Sequence, residues 1–131
     1  MKIERLPDAQ LDIMKELWKS EKPLKASEIA KNLSEKHAWK VPTVHVLLSR
    51  LLEKGLVFAD RSSYSHRFSA AISEKDYMQS QSSTLLEKSG TRIHTMFAAL
   101  IDSADITDEE LCELSRLLDE KMKEIREKKE K

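Results

Sequence analysis

Cysteine, glycine and long apolar runs are scarce in this chain of 131 residues. Cys112 is the single cysteine, which excludes an internal disulfide and a metal site built on paired cysteines. The only glycines, Gly55 and Gly90, leave no room for a glycine-rich phosphate loop, and their scarcity favours a helical fold. No apolar run approaches the roughly 20 residues of a membrane span, and the N-terminus lacks the apolar region of a signal peptide. We therefore expect a cytoplasmic protein without membrane insertion.

Charge is balanced over the whole chain but not along it. Residues 1–75 carry 14 Lys/Arg and 10 Asp/Glu, a net charge of +4, whereas residues 76–131 carry 9 and 13, a net charge of −4. A basic N-terminal half is typical of a module that binds phosphates. Ordinary charge scatter on a solvated surface would give the same numbers.

Three helical segments are predicted in the first 55 residues. Pro7 suits the first turn of a helix, and apolar residues then recur at helical spacing until Pro23 stops the pattern. A short amphipathic segment follows over residues 26–33. The third helix begins at Pro42 and ends at Gly55, a residue that tolerates left-handed geometry. Its predicted apolar face consists of Val44, Leu47, Leu48, Leu51 and Leu52.

A hairpin pattern follows the third helix. Residues 56–59 and 67–70 predict two short strands, and the polar loop 60–66 between them contains no glycine, which indicates an open loop. The order helix, helix, hairpin predicts a winged helix-turn-helix, which places one helix in the major groove of DNA.

The remaining residues predict a helical arm. Capping boxes at Ser73 and Thr107, with a break at Gly90, divide the arm into short amphipathic helices. Such helices need a partner surface, and we expect a second copy of the chain there in preference to the arm folding back on the first domain. The predicted dimerisation residues are Ile93, Met96, Phe97, Leu100, Ile101, Leu111, Leu114, Leu118, Met122 and Ile125.

The predicted fold is therefore mainly α with a small β-hairpin wing, a winged helix-turn-helix followed by a C-terminal helical dimerisation arm. Residues 1–72 are expected to form the DNA-binding domain and residues 73–131 the dimerisation domain.

The side of the third helix that faces away from the leucines carries the candidate base-reading residues. Short polar side chains can donate or accept in the major groove, and a valine can touch a thymine methyl. The candidates are Thr43, His45, Val46 and Ser49. Because no arginine faces this side, we expect modest discrimination in each half-site, recovered by binding as a dimer.

Cations and polar groups around that helix and in the wing are the candidate contacts to the DNA backbone. They are Lys36, Trp39, Lys40, Arg50, Lys54, Arg61, Ser62, Ser63, His66 and Arg67. Three of them have plainer alternatives. Trp39 equally suits packing, Arg50 an internal ion pair, and Lys54 the C-terminal dipole of its helix.

The first 57 residues contain two sequence patterns, each defined by residue types at several spaced positions. The pattern of the first helix consists of Leu6, Ala9, Ile13, Met14, Leu17 and Trp18. The pattern of the third helix and first strand consists of Thr43, Val44, Leu48, Arg50, Leu51, Lys54, Gly55, Leu56 and Val57. Together they resemble the penicillinase-repressor family of bacterial winged-helix regulators, the BlaI, MecI and CopY type. The resemblance implies a homodimeric transcriptional repressor that binds a dyad-symmetric double-stranded DNA operator and serves an antibiotic or stress response.

The same resemblance implies a way of releasing DNA, and here the chain departs from the family pattern. Many such proteins are cleaved in the arm after a membrane sensor detects a β-lactam, so a sensor protease is an implied partner. The arm lacks the Asn-Phe pair that is cut in the penicillinase repressors, and Cys112 alone does not suit copper sensing through paired cysteines. His45 stands where arginine is common, so the operator sequence does not carry over. Release by a bound ligand is the alternative.

Two other classes of function compete with a DNA-binding repressor. Winged helices also serve as protein-interaction modules, which a neutral net charge would suit. Nothing supports an enzyme, because Ser, His and Asp show no catalytic spacing and no cofactor motif occurs. We expect no cofactor and no metal, since the histidines lack metal-ligand spacing; they are His37, His45, His66 and His94.

Overall fold

The computed structural model describes residues 2–103 and 105–130. Within those ranges the chain forms six helices and one two-stranded antiparallel sheet. The elements in chain order are α1 (Asp8–Lys19), α2 (Ala26–Asn32), α3 (Val41–Glu53), β1 (Val57–Asp60), β2 (Arg67–Ala70), α4 (Glu74–Ser89), α5 (Ile93–Ser103) and α6 (Asp108–Glu130). The predicted fold class, mainly α with a small hairpin wing, is confirmed.

The chain divides into two compact units, Met1–Lys88 and Ser89–Lys131. The first unit contains the winged helix and nearly all of α4, because Tyr77 and Ser80 of α4 are buried in it. This division falls after α4, whereas the sequence places the domain boundary at residue 72. The functional limits of the two predicted domains stay a prediction.

One aliphatic core holds the first unit together. The helical spacing of apolar residues turns one side of α1, α2 and α3 inward. Val57 and Phe68 of the hairpin pack against these helices and complete the core. Burial of each such side chain stabilises the fold by about 1.5–3 kcal/mol. The largest fully buried side chains are those of Ile13, Met14, Ile29, Val44, Leu48 and Leu51.

The end of α3 determines where the hairpin begins. Gly55 has φ +75°, its N–H donates to the Leu52 carbonyl at 3.0 Å, and the N–H of Leu56 donates to the Leu51 carbonyl at 3.0 Å. This pair of bonds is a Schellman motif, which requires the left-handed conformation that glycine adopts easily. Because the N–H of Leu56 closes the helix, β1 begins at Val57, one residue later than predicted.

The hairpin has a third partner that the sequence does not reveal. Its two strands pair from Val57 with Ala70 to Asp60 with Arg67. Leu24, just before α2, also pairs with Phe68 of β2 through backbone hydrogen bonds of 2.9 and 2.8 Å. This bridge joins the entry of α2 to the base of the wing.

The second unit consists of α5 and α6. Gly90 has φ +65° and precedes α5, and the Thr107 hydroxyl accepts a hydrogen bond from the Glu110 N–H at 3.2 Å at the start of α6. The predicted break and the predicted cap are therefore both present. Among the described residues, no helix is both long and apolar enough to cross a lipid bilayer.

Candidate nucleic-acid interface

The α3 helix has one buried and one solvent-facing side. Val44, Leu48 and Leu51 are almost completely buried, whereas Val46 is 51% exposed. The four predicted base-reading residues all lie on the exposed side of α3; they are Thr43, His45, Val46 and Ser49. The sequence pattern thus separates the side that packs from the side that is free to contact a ligand.

His45 leans toward the base of the wing. Its ring meets Phe68 edge-on, with the ring centroids 6.2 Å apart and the planes at 70°. It also lines an open groove of about 350 Å³ between the start of α2, the start of α3 and the wing loop. The other residues of this groove are Lys25, Ala26, Ser27, Val41, Tyr64, Ser65 and His66. Thus His45 and His66, predicted for different roles, are brought to one groove.

Lys40, Arg50 and Arg61 have exposed side chains around α3 and the wing. Lys40 is the N-cap residue of α3, Arg50 lies in its last turn, and Arg61 opens the wing loop. Within residues 2–103 and 105–130, no carboxylate lies within ion-pair distance of any of the three. The internal ion pair considered for Arg50 is therefore not formed by the described residues.

Three other predicted backbone contacts have partners inside the first unit. Lys36 Nζ lies 3.0 Å from Asp12 Oδ1, and Arg67 Nη1 lies 3.7 Å from Glu28 Oε1. Lys54 Nζ donates to the buried Gln10 Oε1 at 2.6 Å. A phosphate would have to compete with these partners for each cation.

Trp39 lies half-buried against the core, and its ring stacks on that of His37 with the centroids 3.8 Å apart and the planes at 2°. The packing role considered for Trp39 is thus present in the fold. Its predicted contact to the DNA backbone stays a prediction.

The wing loop is held by local hydrogen bonds and exposes an aromatic residue. Asp60 Oδ1 accepts from the Ser62 N–H at 2.9 Å, and the Ser63 hydroxyl donates to the Ser65 carbonyl at 2.6 Å. Hydrogen bonds from Ser62 hold the pKa of Asp60 below its usual value. Tyr64, at the middle of the loop, is fully exposed. The sequence interpretation missed Tyr64, although an aromatic residue within a polar loop is a signal that could have identified it.

The apolar stripes of the arm remain open to solvent in the single chain. Neither α5 nor α6 contains a buried residue. Of the ten predicted dimerisation residues, Met96 and Leu114 are half-buried and the other eight are exposed. Cys112 is exposed as well. These stripes are available to a partner.

The described part of the chain contains no cluster of three or more His, Cys, Asp or Glu residues arranged to hold a metal ion. Polar residues of α3 and of the wing loop, including His45, Ser65 and His66, line one groove. A helix-turn-helix followed by such a wing is the architecture of winged-helix DNA-binding proteins.

The family model of the penicillinase repressor matches residues 6–120, and the chain belongs to that family. The penicillinase repressor of Bacillus licheniformis is 29% identical over 121 residues, which cover 91% of this chain and 93% of the relative. The DNA-binding domain of the repressor BlaI, solved in solution, has a TM-score of 0.50 and 32% identity over 59% of this chain and 94% of its own. The chain is thus a DNA-binding transcriptional repressor, and the predicted family is confirmed.

A more distant structure shares the fold. A single-substitution mutant of MepR from S. aureus, solved bound to an oligodeoxyribonucleotide, has a TM-score of 0.51 and 19% identity over 92% of this chain and 80% of its own. The predicted winged-helix fold agrees with this similarity.

Proposed function

We propose that the chain forms a homodimer that represses transcription by binding a dyad-symmetric DNA operator, with α3 of each copy in a major groove. The observation that carries this proposal is the division of α3 into a packed leucine side and an exposed polar side. Thr43, His45 and Ser49 present hydrogen-bonding groups there, and Val46 presents methyl groups suited to thymine. The repressor BlaI has a DNA-binding domain that is 32% identical to the matching part of this chain.

Lys40, Arg50 and Arg61 are the principal phosphate contacts in this proposal. Their side chains are exposed, and none is joined to a carboxylate of the described residues. Lys36, Lys54 and Arg67 contribute less, because each already has an internal hydrogen-bond or ion-pair partner. The wing adds the hydroxyls of Ser62 and Ser63 and the ring of His66.

The arm supplies the dimer contact. A helix with an exposed apolar stripe gains stability when a second such stripe covers it, and symmetric dimers are the commonest oligomers. The α5 stripe includes Phe97 and Leu100, which are 40% and 57% exposed, and the α6 stripe includes Met122, which is 48% exposed. Two half-sites bound together recover the specificity that one helix lacks, because the base-reading candidates of α3 include no arginine.

A triple substitution tests the proposal. The operator is first selected from a random DNA pool, and we expect half-site centres about ten base pairs apart, or a multiple of that. The variant with Thr43→Ala, His45→Ala and Arg50→Ala should then lose operator retention in a gel shift while staying dimeric. The matched control changes the same residue types in the arm, Thr91→Ala, His94→Ala and Arg92→Ala. Undiminished binding by the α3 variant would refute the proposal.

Salt dependence separates a DNA-binding protein from a protein-docking module. A protein that neutralises six or more phosphates loses on the order of a thousandfold in affinity between about 50 and 200 mM salt. A docking module would have no specific DNA affinity to lose.

A further inference from the structure

Residues 2–6, which precede α1, are bound along one side of α4 by side chains of that helix. We call these residues the N-terminal strap. The Ile3 N–H donates to the Ser80 hydroxyl at 2.8 Å, and the Ile3 carbonyl accepts from Gln81 Nε2 at 2.7 Å. The Leu6 N–H donates to the Tyr77 hydroxyl at 3.1 Å. Three neighbouring residues of α4 thus satisfy backbone groups more than seventy positions away in the chain.

Hydrogen bonds and packing of Ile3 against the core together hold the N-terminal strap in place before Leu6. Leu6 is buried at 2% exposure and Ile3 is half-buried, and both Lys2 and Ile3 border two open grooves of about 500 and 450 Å³. The ion pair of Lys2 with Glu87 at 3.2 Å is exposed, so it contributes little. The α4 groups are themselves well placed, because Tyr77 and Ser80 are 2% and 8% exposed and Tyr77 also meets Trp18 at 5.7 Å.

We propose that Tyr77, Ser80 and Gln81 are positioning residues for operator binding, because through the N-terminal strap they set the direction in which α4 leaves the winged helix. This inference rests on the proposed dimeric function. The α4 helix has 16 residues, a length of about 24 Å. A tilt of about 10° at its base would move its far end by about 4 Å, more than the 3.4 Å rise of one base pair. Since α4 joins the winged helix to the arm, its direction contributes to the half-site spacing that the dimer accepts.

The test compares full operators with single half-sites. The variant carries Tyr77→Phe, Ser80→Ala and Gln81→Ala, which remove the strap hydrogen bonds and keep the aromatic ring beside Trp18. The matched control carries Gln79→Ala and Ser82→Ala, two exposed residues of α4 that do not hydrogen-bond the strap. Each protein is titrated with a full operator, with operators whose half-site spacing is one base pair longer or shorter, and with a duplex holding one half-site. Sedimentation measures dimerisation.

We expect the variant to stay dimeric and to bind the single half-site within about twofold of the wild type. Its affinity for the full operator should fall at least tenfold, and its preference among the three spacings should flatten, whereas the control should match the wild type. The proposal is overturned if operator affinity and spacing preference are unchanged, or if operator and half-site lose affinity equally. A wild type that fails to dimerise, or binds operator no better than half-site, would instead contradict the proposed function.

Discussion

The carboxylate of Asp12 in α1 lies 2.7 Å from the imidazole of His37, a residue in the connection between α2 and α3. The two residues are 25 positions apart in the sequence. The other carboxylate oxygen accepts from Lys36 Nζ at 3.0 Å, and the His37 ring in turn stacks on Trp39. Asp12 is only 6% exposed. A buried carboxylate therefore ties the connection that leads into α3 to the first helix of the fold.

The substitution Asp12→Asn should destabilise the protein by about 1–3 kcal/mol. The buried site would lose the negative charge of Asp12, and the hydrogen bonds from His37 and Lys36 would no longer have a charged acceptor. Urea unfolding at pH 7 and fixed protein concentration measures this loss. Asp102→Asn, an exposed change on α5, should stay within about 0.5 kcal/mol of the wild type. Equal stabilities of the two variants would show that the Asp12 network contributes nothing.

The same residue should make stability depend on acid. Burial acts to raise the pKa of Asp12, but hydrogen bonds from His37 and Lys36 outweigh it and hold the pKa below its ordinary value. A lowered carboxyl pKa gives stability that is complete above the unfolded-state pKa of about 4 and is lost as the pH falls through the folded-state value. The advantage of the wild type over Asp12→Asn should therefore shrink below about pH 4. A difference that stays constant into stronger acid would contradict this assignment.

Gly55→Ala should cost about 1–2 kcal/mol, because a side chain at φ +75° enters the left-handed region. Steric contact adds nothing, since a Cβ at Gly55 would meet no atom within 4 Å. Gly55→Asn should cost less, because asparagine tolerates this conformation better. Thermal or urea unfolding compares the two variants, and an asparagine that costs as much as alanine would argue against backbone strain as the cause.

Tyr64→Ala should weaken operator binding by about two- to tenfold, the equivalent of one hydrogen bond of about 0.5–1.5 kcal/mol to the DNA backbone. Stability should change by less than about 0.5 kcal/mol because Tyr64 is fully exposed. Tyr64→Phe isolates the hydroxyl. Phe58→Ala removes another exposed aromatic ring, on β1 and outside the groove that Tyr64 lines, and should leave binding unchanged. If all three variants bind the operator as well as the wild type does, Tyr64 in the wing loop makes no contact with DNA.

Leu118→Glu should convert the dimer to a monomer, because it places a charge in the apolar stripe of α6. Leu117→Glu is the matched control. Leu117 is 49% exposed, close to the 56% of Leu118, but successive residues point about 100° apart around a helix. Analytical ultracentrifugation should find Leu117→Glu dimeric. If both variants are monomeric, or both are dimeric, the predicted stripe is not the interface.

Local patterns explain which parts of this fold the sequence predicts well. The two sides of α3 follow from leucine spacing, since a period of 3.6 residues places them together whatever surrounds the helix. The helix end at Gly55 follows from the conformational freedom of one residue. The start of β1 differs by one residue because a capping hydrogen bond from Leu56 takes the N–H that the strand would use.

The sequence patterns did not predict contacts between residues that are distant in the chain. The pairing of Leu24 with Phe68, the bond from Lys54 to Gln10 and the N-terminal strap all join segments more than 40 residues apart. No residue spacing along the chain indicates such contacts, because they depend on how the helices and strands pack against one another.

The amino-acid sequence alone determined the two-sided character of α3, the amphipathic arm and the family, because these reside in the order and periodicity of residue types. Only the tertiary structure decided which basic groups are free. Lys36 and Lys40 look alike in sequence, but packing brings Asp12 to the first, and no described carboxylate to the second. The charge that a protein offers to DNA depends on distances between side chains, and folding sets those distances.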